Sequence, residues 1–487
     1  MSHAYDQLEP AELWRQFAGL NAVPRPSRRE QAACEHVRRL ARQAGLEVRS
    51  DDIGNVVVYV PATSGREGAP AVTIQAHLDM VCEARPDVAH DFDTQPILPQ
   101  RAGDWILATG TTLGADNGIG AACALALLRG AGGPHGPLEL LFTVEEEIGL
   151  VGALKLDWNL LSARLMINLD SEDPAELTVG CAGGARTNFR LPADAVPVPR
   201  GLAAISIVIG GLKGGHSGVQ IHEPLGNSLK LLSRLLDRAS AQTAVRISSI
   251  SGGNASNAIP RDASAVVLVP EGSRDDLLHG LRREAQLIVD QWFRAEPDLA
   301  IAIEARQTPL SCLSAETTEQ VLALLREIPH GVLAVSQDFP GTVETSSNVA
   351  RIRLDGGFVQ IDTSSRSFRT ESLAELQAEI NRIGTQHGAE VDAGDAYPAW
   401  APNPHSQLLV TTRRAYARLN GTEPKVRVIH AGLECGALLG RGPEGAEAIS
   451  FGPRIEGAHT PEERVHIPSV RRTWDLLVAL LDDLSLG

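Results

Sequence analysis

His77 and Asp79 stand two residues apart at the end of an apolar, β-branched run, AVTIQAHLDM over 71–80. Alternate residues of a strand share a face, so both side chains can reach one pocket. A neutral imidazole is a good metal ligand when an acceptor holds its second ring N–H, and Asp79 is placed to be that acceptor. More acids and a second imidazole follow other apolar runs or sit in Gly-rich turns. They are Asp116 in GTTLGADNGIG, Glu145-Glu146-Glu147 after LELLFTV, Asp170 after LMINL and His459 in GAHTPEE. Singly, each has a plainer reading: Asp116-Asn117-Gly118 as a turn and helix cap, the glutamates as a solvated helix start. Jointly, that reading needs four strand ends to carry acids by coincidence. So many carboxylates in one crevice repel one another by several kcal/mol unless something neutralises them. Two divalent cations would do so, and a bridging carboxylate holds such a pair ~3.5–4 Å apart. Mixed imidazole and carboxylate ligands favour zinc, with manganese or cobalt as alternatives.

The elements that must carry these groups alternate between strand and helix. Ser27-Arg28-Arg29-Glu30 reads as a capping box opening a helix to about Ala44, with Gly45 at its C′ position. Strands EV, NVVVYV and AVTIQAH follow, broken by a polar, Gly-rich stretch at 62–68. After an irregular span over 82–105 comes a small-residue helix closed by Gly130. LELLFTVEEE and ARLMINLD are two more apolar strands running into acids. The order predicts an α/β domain with a mostly parallel sheet flanked by helices. The ligand crevice of such a sheet lies beyond the carboxyl ends of its strands, where these acids fall.

The pattern changes near Gly183. From Ile205 the elements read β-α-β-β-α-β, the ferredoxin-like order. A looser second pass begins at helix TTEQVLALLREI and ends at strand AEVDA. Asn-Ala-Ser-Asn-Ala-Ile precedes a strand in the first pass and Thr-Ser-Ser-Asn-Val-Ala in the second. This predicts an inserted α+β domain over 185–395, built of two ferredoxin-like halves. Residues 1–184 and 396–487 then form one discontinuous domain. In its last part SQLLVTTRRAYARLNG is a helix ended by Gly421. VRVIHAGLECGALLG and AEAISFGP read as strands and turns, and SVRRTWDLLVALLDDL is a terminal helix.

A chain of 487 residues exceeds one ordinary core. Its 43% apolar and 21% charged residues suit a globular protein, and its net charge of −16 argues against a nucleic-acid partner. The N-terminus has neither the basic start nor the apolar run of a signal peptide, and no stretch reaches the ~18 apolar residues of a membrane span. The six cysteines form no CxxC pair, which suits buried thiols in a reducing cytoplasm.

HLDM, GTTLGADNGIG, the acidic triplet, NLD and GAHTPEE together resemble the metal-site motifs of the M20 metallopeptidases. GTTLGADNGIG with HAGLECG is similar to the aminoacyl-histidine (Xaa-His) dipeptidase branch. The resemblance covers most of the chain and is strongest over 70–185 and 425–470. It implies two metal ions, bridged by Asp116. His77 and Asp170 complete one site; Glu147 and His459 complete the other. Glu146 is the general base and Asp79 orients His77. Where the family commonly has Asp-Glu-Glu this chain has Val-Glu-Glu-Glu, so 145/146 and 146/147 both fit as base and ligand. The second pair keeps the family's order.

The implied reaction is hydrolysis of dipeptides with a free C-terminal carboxylate, Xaa-His in that branch. The inserted domain is implied to be a lid whose closure brings His216, in Gly-Gly-His-Ser-Gly, to the tetrahedral oxyanion. The substrate carboxylate needs a cationic or N–H-rich pocket. Arg366, Arg369 and the turn from His430 to Glu434 are candidates, with Asn257 and Asn348 as further polar contacts. Rival readings are an M20-type tripeptidase, a carboxypeptidase, an N-acyl amino acid deacylase, or a metal-dependent binding protein with a dead site. The only partner expected is a small peptide, with no nucleic acid or membrane, and a homodimer stays open.

Overall fold

The structure, a computed structural model, describes residues 3–337, 339–394 and 396–486. It divides into two compact units. Unit 1 holds Met1–Cys181, Trp400–Val428 and Leu433–Gly487, and unit 2 holds Ala182–Ala399 and Ile429–Gly432. The boundary expected at 395 falls on a residue outside those described.

Unit 1 is built on an eight-stranded sheet. Its order is Glu47–Ser50, Val56–Val60, Leu138–Thr143, Val72–His77, Leu165–Asn168, Glu447–Ser450, Glu176–Cys181 and Lys425–Ile429. The sheet mixes parallel and antiparallel pairs. The middle four strands run parallel, and Lys425–Ile429 follows the direction of Glu176–Cys181, with Lys425 N donating to Ala175 O at 2.9 Å and Ala182 N to Ile429 O at 3.0 Å. Glu47–Ser50 and Val56–Val60 pair antiparallel with their neighbours, and Glu176–Cys181 with Glu447–Ser450. For the first pair the reason is connection length: residues 51–55 can close a hairpin, whereas a parallel pair needs a crossover of roughly a dozen residues or more.

The parallel core sets the functional end. His77 pairs with Thr143, and Gln75 with both Leu141 and Asn168. The strand ends are therefore level, and the residues just beyond each one emerge side by side. Helix Ala115–Leu128 packs on this sheet and is buried along almost its whole length, as its run of Gly and Ala requires. Gly130, at φ +78°, ends it.

A four-stranded sheet of Ile455–Glu456, Arg464–His466, Trp105–Ala108 and Pro99–Ala102 carries the loop with His459. Two of its strands lie in or at the end of the span expected to be irregular. The stretch expected to be strands and turns after Ile429 includes a helix, Glu434–Leu439.

The capping-box expectation is also corrected. The helix begins at Gln31, one turn later than the box implies, and has no side-chain cap. Ser27 Oγ instead donates to Asp79 Oδ2 at 2.8 Å, and Glu30 Oε1 accepts from the backbone of Arg28 and Glu145. Gly45, at φ +69°, does end that helix, and Leu46 N reaches back to Ala41 O at 3.0 Å.

Unit 2 has one nine-stranded sheet. Leu202–Gly210, Ser228–Ser240, Arg246–Gly252, Ala263–Pro270, Arg274–Trp292 and Ala300–Arg306 run β-α-β-β-α-β, with strand order 4-1-3-2. The same order recurs in Gly183–Pro192, Val343–Asp355, Phe358–Ser367 and Glu390–Ala393, with helices Ala315–Glu327 and Thr370–Gln386. The leading strand of this second set, Gly183–Pro192, precedes the whole first set in the chain, so a linear reading starts the second pass one strand late. Gly331–Val335 adds an edge strand beside Val343–Asp355. One apolar core runs under both sets, from Ile205 and Leu232 to Ile361 and Ile380.

Candidate metal centre

Five segments of unit 1 converge beyond the level strand ends. His77 Nε2 lies 3.1 Å from Asp116 Oδ1 and 3.4 Å from Asp170 Oδ1. His459 Nε2 lies 3.1 Å from Asp116 Oδ2 and 3.1 Å from Glu147 Oε2. Asp116 thus turns one oxygen to each imidazole. Among the described residues, three groups have ligand atoms within 4.8 Å of one another: His77, Asp116 and Asp170; His77, Glu146 and Glu147; and Asp116, Glu147 and His459. Glu145 joins none of these groups, and its N–H is spent on Glu30.

The electrostatics follow from crowding. Burial opposes a charge on His77, yet Asp170, Asp116 and Asp79 together hold its pKa well above the usual value. Hydrogen bonds to Asp116 and Glu147 push His459 up to about 11. Burial works to raise Asp116, but His459 and His77 hold it below the ordinary carboxylate range. Burial, then Asp170, Glu147 and Glu434, push Glu146 well up. Imidazole protons are therefore what balances these carboxylates. A ligating imidazole is neutral, so divalent cations fit by replacing those protons. Glu147 Oε1, buried without a partner, is a further free donor atom. The donor set of two imidazoles and several carboxylates suits two such ions.

Asp79 contacts more than the imidazole it was expected to orient. His77 Nδ1 is nearer to the Asp79 backbone carbonyl, 3.2 Å, than to its carboxylate, 3.5 Å. The carboxylate mainly accepts from Ser27 Oγ at 2.8 Å and from the N–H groups of Glu146 at 3.0 Å and Glu147 at 3.1 Å. It fixes the turn that presents both glutamates.

Glu434, expected at the substrate, is buried beneath the strand ends. Its Oε2 accepts from Gln75 Nε2 and from Thr143 Oγ1 at 2.8 Å. Gln75 Oε1 in turn accepts from Asn168 Nδ2 at 2.6 Å. The acid tops a polar layer that runs across three strands.

Two residues of the site were missed from the sequence. Glu463 accepts four successive backbone N–H groups from Leu113 to Asp116, and Arg25 lies buried beside that turn. GAHTPEE contains Glu463, so its motif was visible although its role was not. Arg25 has no such signal.

Unit 2 brings its own candidates together. His216 pairs with Ala258 across a two-residue ladder, which sets Asn257 beside it, and Ser217 N donates to Asn257 O at 2.8 Å. His216 Nδ1 accepts from Gly218 N at 3.2 Å and Val219 N at 3.0 Å. That makes Nε2 the protonated nitrogen of a neutral ring. Burial, then Arg366, lowers the His216 pKa to about 4. Arg366 is 9% exposed, donates from Nη1 to Tyr397 OH at 2.8 Å, and leaves Nε buried without a partner. Gly218 is required here, because a Cβ would strike His430 O and the Arg366 side chain.

Asn348 is fully buried and its Nδ2 donates to Ala258 O at 2.9 Å, so it serves the fold and not an open contact surface. Arg369 is an exposed residue at the start of helix Thr370–Gln386, and its N–H donates to Ser367 Oγ at 3.0 Å.

An α/β unit with this cluster beyond its parallel strands, joined to a duplicated α+β unit, defines a class of peptidases. Residues 73–483 match Peptidase family M20/M25/M40, and the chain belongs to that family. Among its relatives, the cytosol non-specific dipeptidase of Escherichia coli K12 is 39% identical over 478 residues, 98% of each chain. The crystal structure of aminoacylhistidine dipeptidase from Vibrio alginolyticus superposes with a TM-score of 0.90 at 36% identity, over 98% of this chain and 97% of that one. Aminopeptidase PepT from Bacillus cereus shares the fold, with a TM-score of 0.61 at 20% identity over 98% and 99%.

Proposed function

We propose that this chain is a metal-dependent dipeptidase using two divalent ions, acting on dipeptides with a free C-terminal carboxylate, Xaa-His among them. The observation that carries this is the division of Asp116 between His77 and His459, with Glu146 beside them. His77, Asp170 and Asp116 would hold one ion, and Asp116, Glu147 and His459 the other. When bound, such ions lower the pKa of water and polarise a carbonyl. Zinc is the ion we favour, with manganese or cobalt as alternatives.

Glu146 takes the proton of the attacking water and delivers it to the leaving amine. Asp79 keeps Glu146 and Glu147 in place through their N–H groups. Unit 2 is read as a lid of two ferredoxin-like halves, inserted between the parts of unit 1. From it, the His216 Nε2–H donates to the oxyanion, and Arg366, with Asn257 nearby, receives the substrate carboxylate. A cytoplasmic setting is supported by the name of the E. coli relative and by six free cysteines.

The test is an assay of chelated and reconstituted protein against Xaa-His and other dipeptides, tripeptides and N-acyl amino acids. Chelator-sensitive turnover confined to dipeptides supports the reading. Turnover of tripeptides or acyl amino acids alone, or no turnover with metal bound, refutes it.

A further inference from the structure

Arg25 and Glu463 are 438 residues apart in the numbering, and both are 2% exposed. Arg25 Nη1 donates to the carbonyls of Leu78 at 2.9 Å and Asp79 at 3.2 Å, while Nη2 donates to that of Gly114. The first two carbonyls directly follow His77, and the third precedes Asp116 by two residues. One guanidinium fork therefore ties two ligand-bearing segments together. Its planar, fixed geometry is what lets a single side chain span both.

Glu463 holds the same turn by its N–H groups. Its Oε2 accepts from Leu113 at 2.7 Å and Gly114 at 2.9 Å, and its Oε1 from Ala115 at 2.7 Å and Asp116 at 3.2 Å. Because Glu463 is four residues past His459, this carboxylate also fastens the His459 loop to the Asp116 turn.

The glycines of GADNG make the arrangement fit. A Cβ at Gly114 would run into Arg25 Nη2 and Met80 Sδ, and one at Gly118 would meet Arg25 Nη2 and Phe17, each at 2.8 Å. A buried guanidinium is costly unless opposite charges face it. Glu463, Asp79 and Asp116 supply them.

We propose that Arg25 and Glu463 are positioning residues, forming a clamp that fixes the segments of His77, Asp116 and His459 relative to one another before any cation binds. The idea rests on the two-metal reading above, but its test separates the two. Charge-conserving variants change only the geometry. Arg25→Lys replaces the fork with a point donor, and Glu463→Asp retracts the carboxylate by one methylene.

Zinc affinity would be measured on full-length metal-free protein by competition with a chromophoric chelator, together with the visible spectrum of the cobalt(II)-loaded form. Each variant is expected to bind zinc ~10–100-fold more weakly with an altered cobalt spectrum, and to lose kcat while KM stays within about twofold. Wild-type affinity and spectrum in a folded variant would overturn the clamp.

Amide exchange on the metal-free wild type gives a second readout that needs no variant. The N–H groups of 113–116 should stay protected without metal. Protection that appears only when zinc is added would equally overturn the clamp. A wild type that takes up no zinc would sink the two-metal reading instead, and the exchange result would still decide the clamp.

Discussion

His459 Nε2 lies 3.1 Å from Asp116 Oδ2 across 343 residues of chain. The loop that delivers it gives His459 a φ of +65°, a left-handed conformation that side-chain-bearing residues adopt at a cost. Such strain persists only where surrounding contacts fix it, and Glu463, at the end of this loop, supplies four. The other Asp116 oxygen faces His77. These two contacts make Asp116 the shared element of the site and separate its role from that of Glu146.

Glu146→Gln should therefore keep the metal content while turnover falls by ~10²–10⁴. Asp116→Ala should lose both activity and metal. Elemental analysis beside a dipeptide assay checks this, and equal metal loss in the two variants would contradict the division of labour.

Arg366 has an unpartnered buried Nε and little exposure. Arg366→Ala should lower kcat/KM for dipeptides ~10²–10³-fold, in line with the loss of a partner from a buried charged contact. Turnover of the matching dipeptide amides, which lack the carboxylate, should change little. A parallel fall for acids and amides would remove Arg366 from carboxylate recognition.

Glu434 tests the buried polar layer. Glu434→Ala leaves the Gln75 amide and the Thr143 hydroxyl without their shared acceptor. That should cost ~2–3 kcal/mol of unfolding free energy, with KM nearly unchanged. Unaltered stability with a large rise in KM would return Glu434 to the substrate.

Acid should weaken the fold through histidines away from the metal centre. Burial, with Arg39, lowers His36 to about 4, and burial, with Lys230, does the same to His330. Burial, with Arg366 and His222, lowers His430 to about 3. Each folded value is below the unfolded one, so from about 4 to 6.5 the unfolded chain binds the extra protons. Stability is then fully present above about 6.5 and lost as pH falls. The two most enclosed, His330 and His430, should each contribute ~1.4 kcal/mol per pH unit. Urea unfolding at pH 7.5, 6 and 5 measures the slope, and a flat profile would refute it.

Much of the site was legible because strand periodicity and chemistry coincide. HLD, EEE and NLD each follow an apolar run, and level parallel strands bring such positions side by side. The strand Gly183–Pro192 escaped notice because it pairs with Phe358–Ser367 and Glu390–Ala393. Nothing local ties it to partners so distant. Asn348 and Glu434 look like contact residues in sequence, since a polar side chain reads alike whether it meets solvent or a buried neighbour.

The sequence by itself determined which side chains are chemically equipped for a metal site and at which strand ends they emerge, because residue type and hydrophobic period are local properties. Only the tertiary structure decided which Asp116 oxygen faces which imidazole, that Asp79 grips the Glu146–Glu147 turn, and that Arg25 and Glu463 hold the segments in register. Those contacts are made largely to backbone N–H and C=O groups, which nearly every residue possesses, so no residue pattern could announce them before the chain had folded.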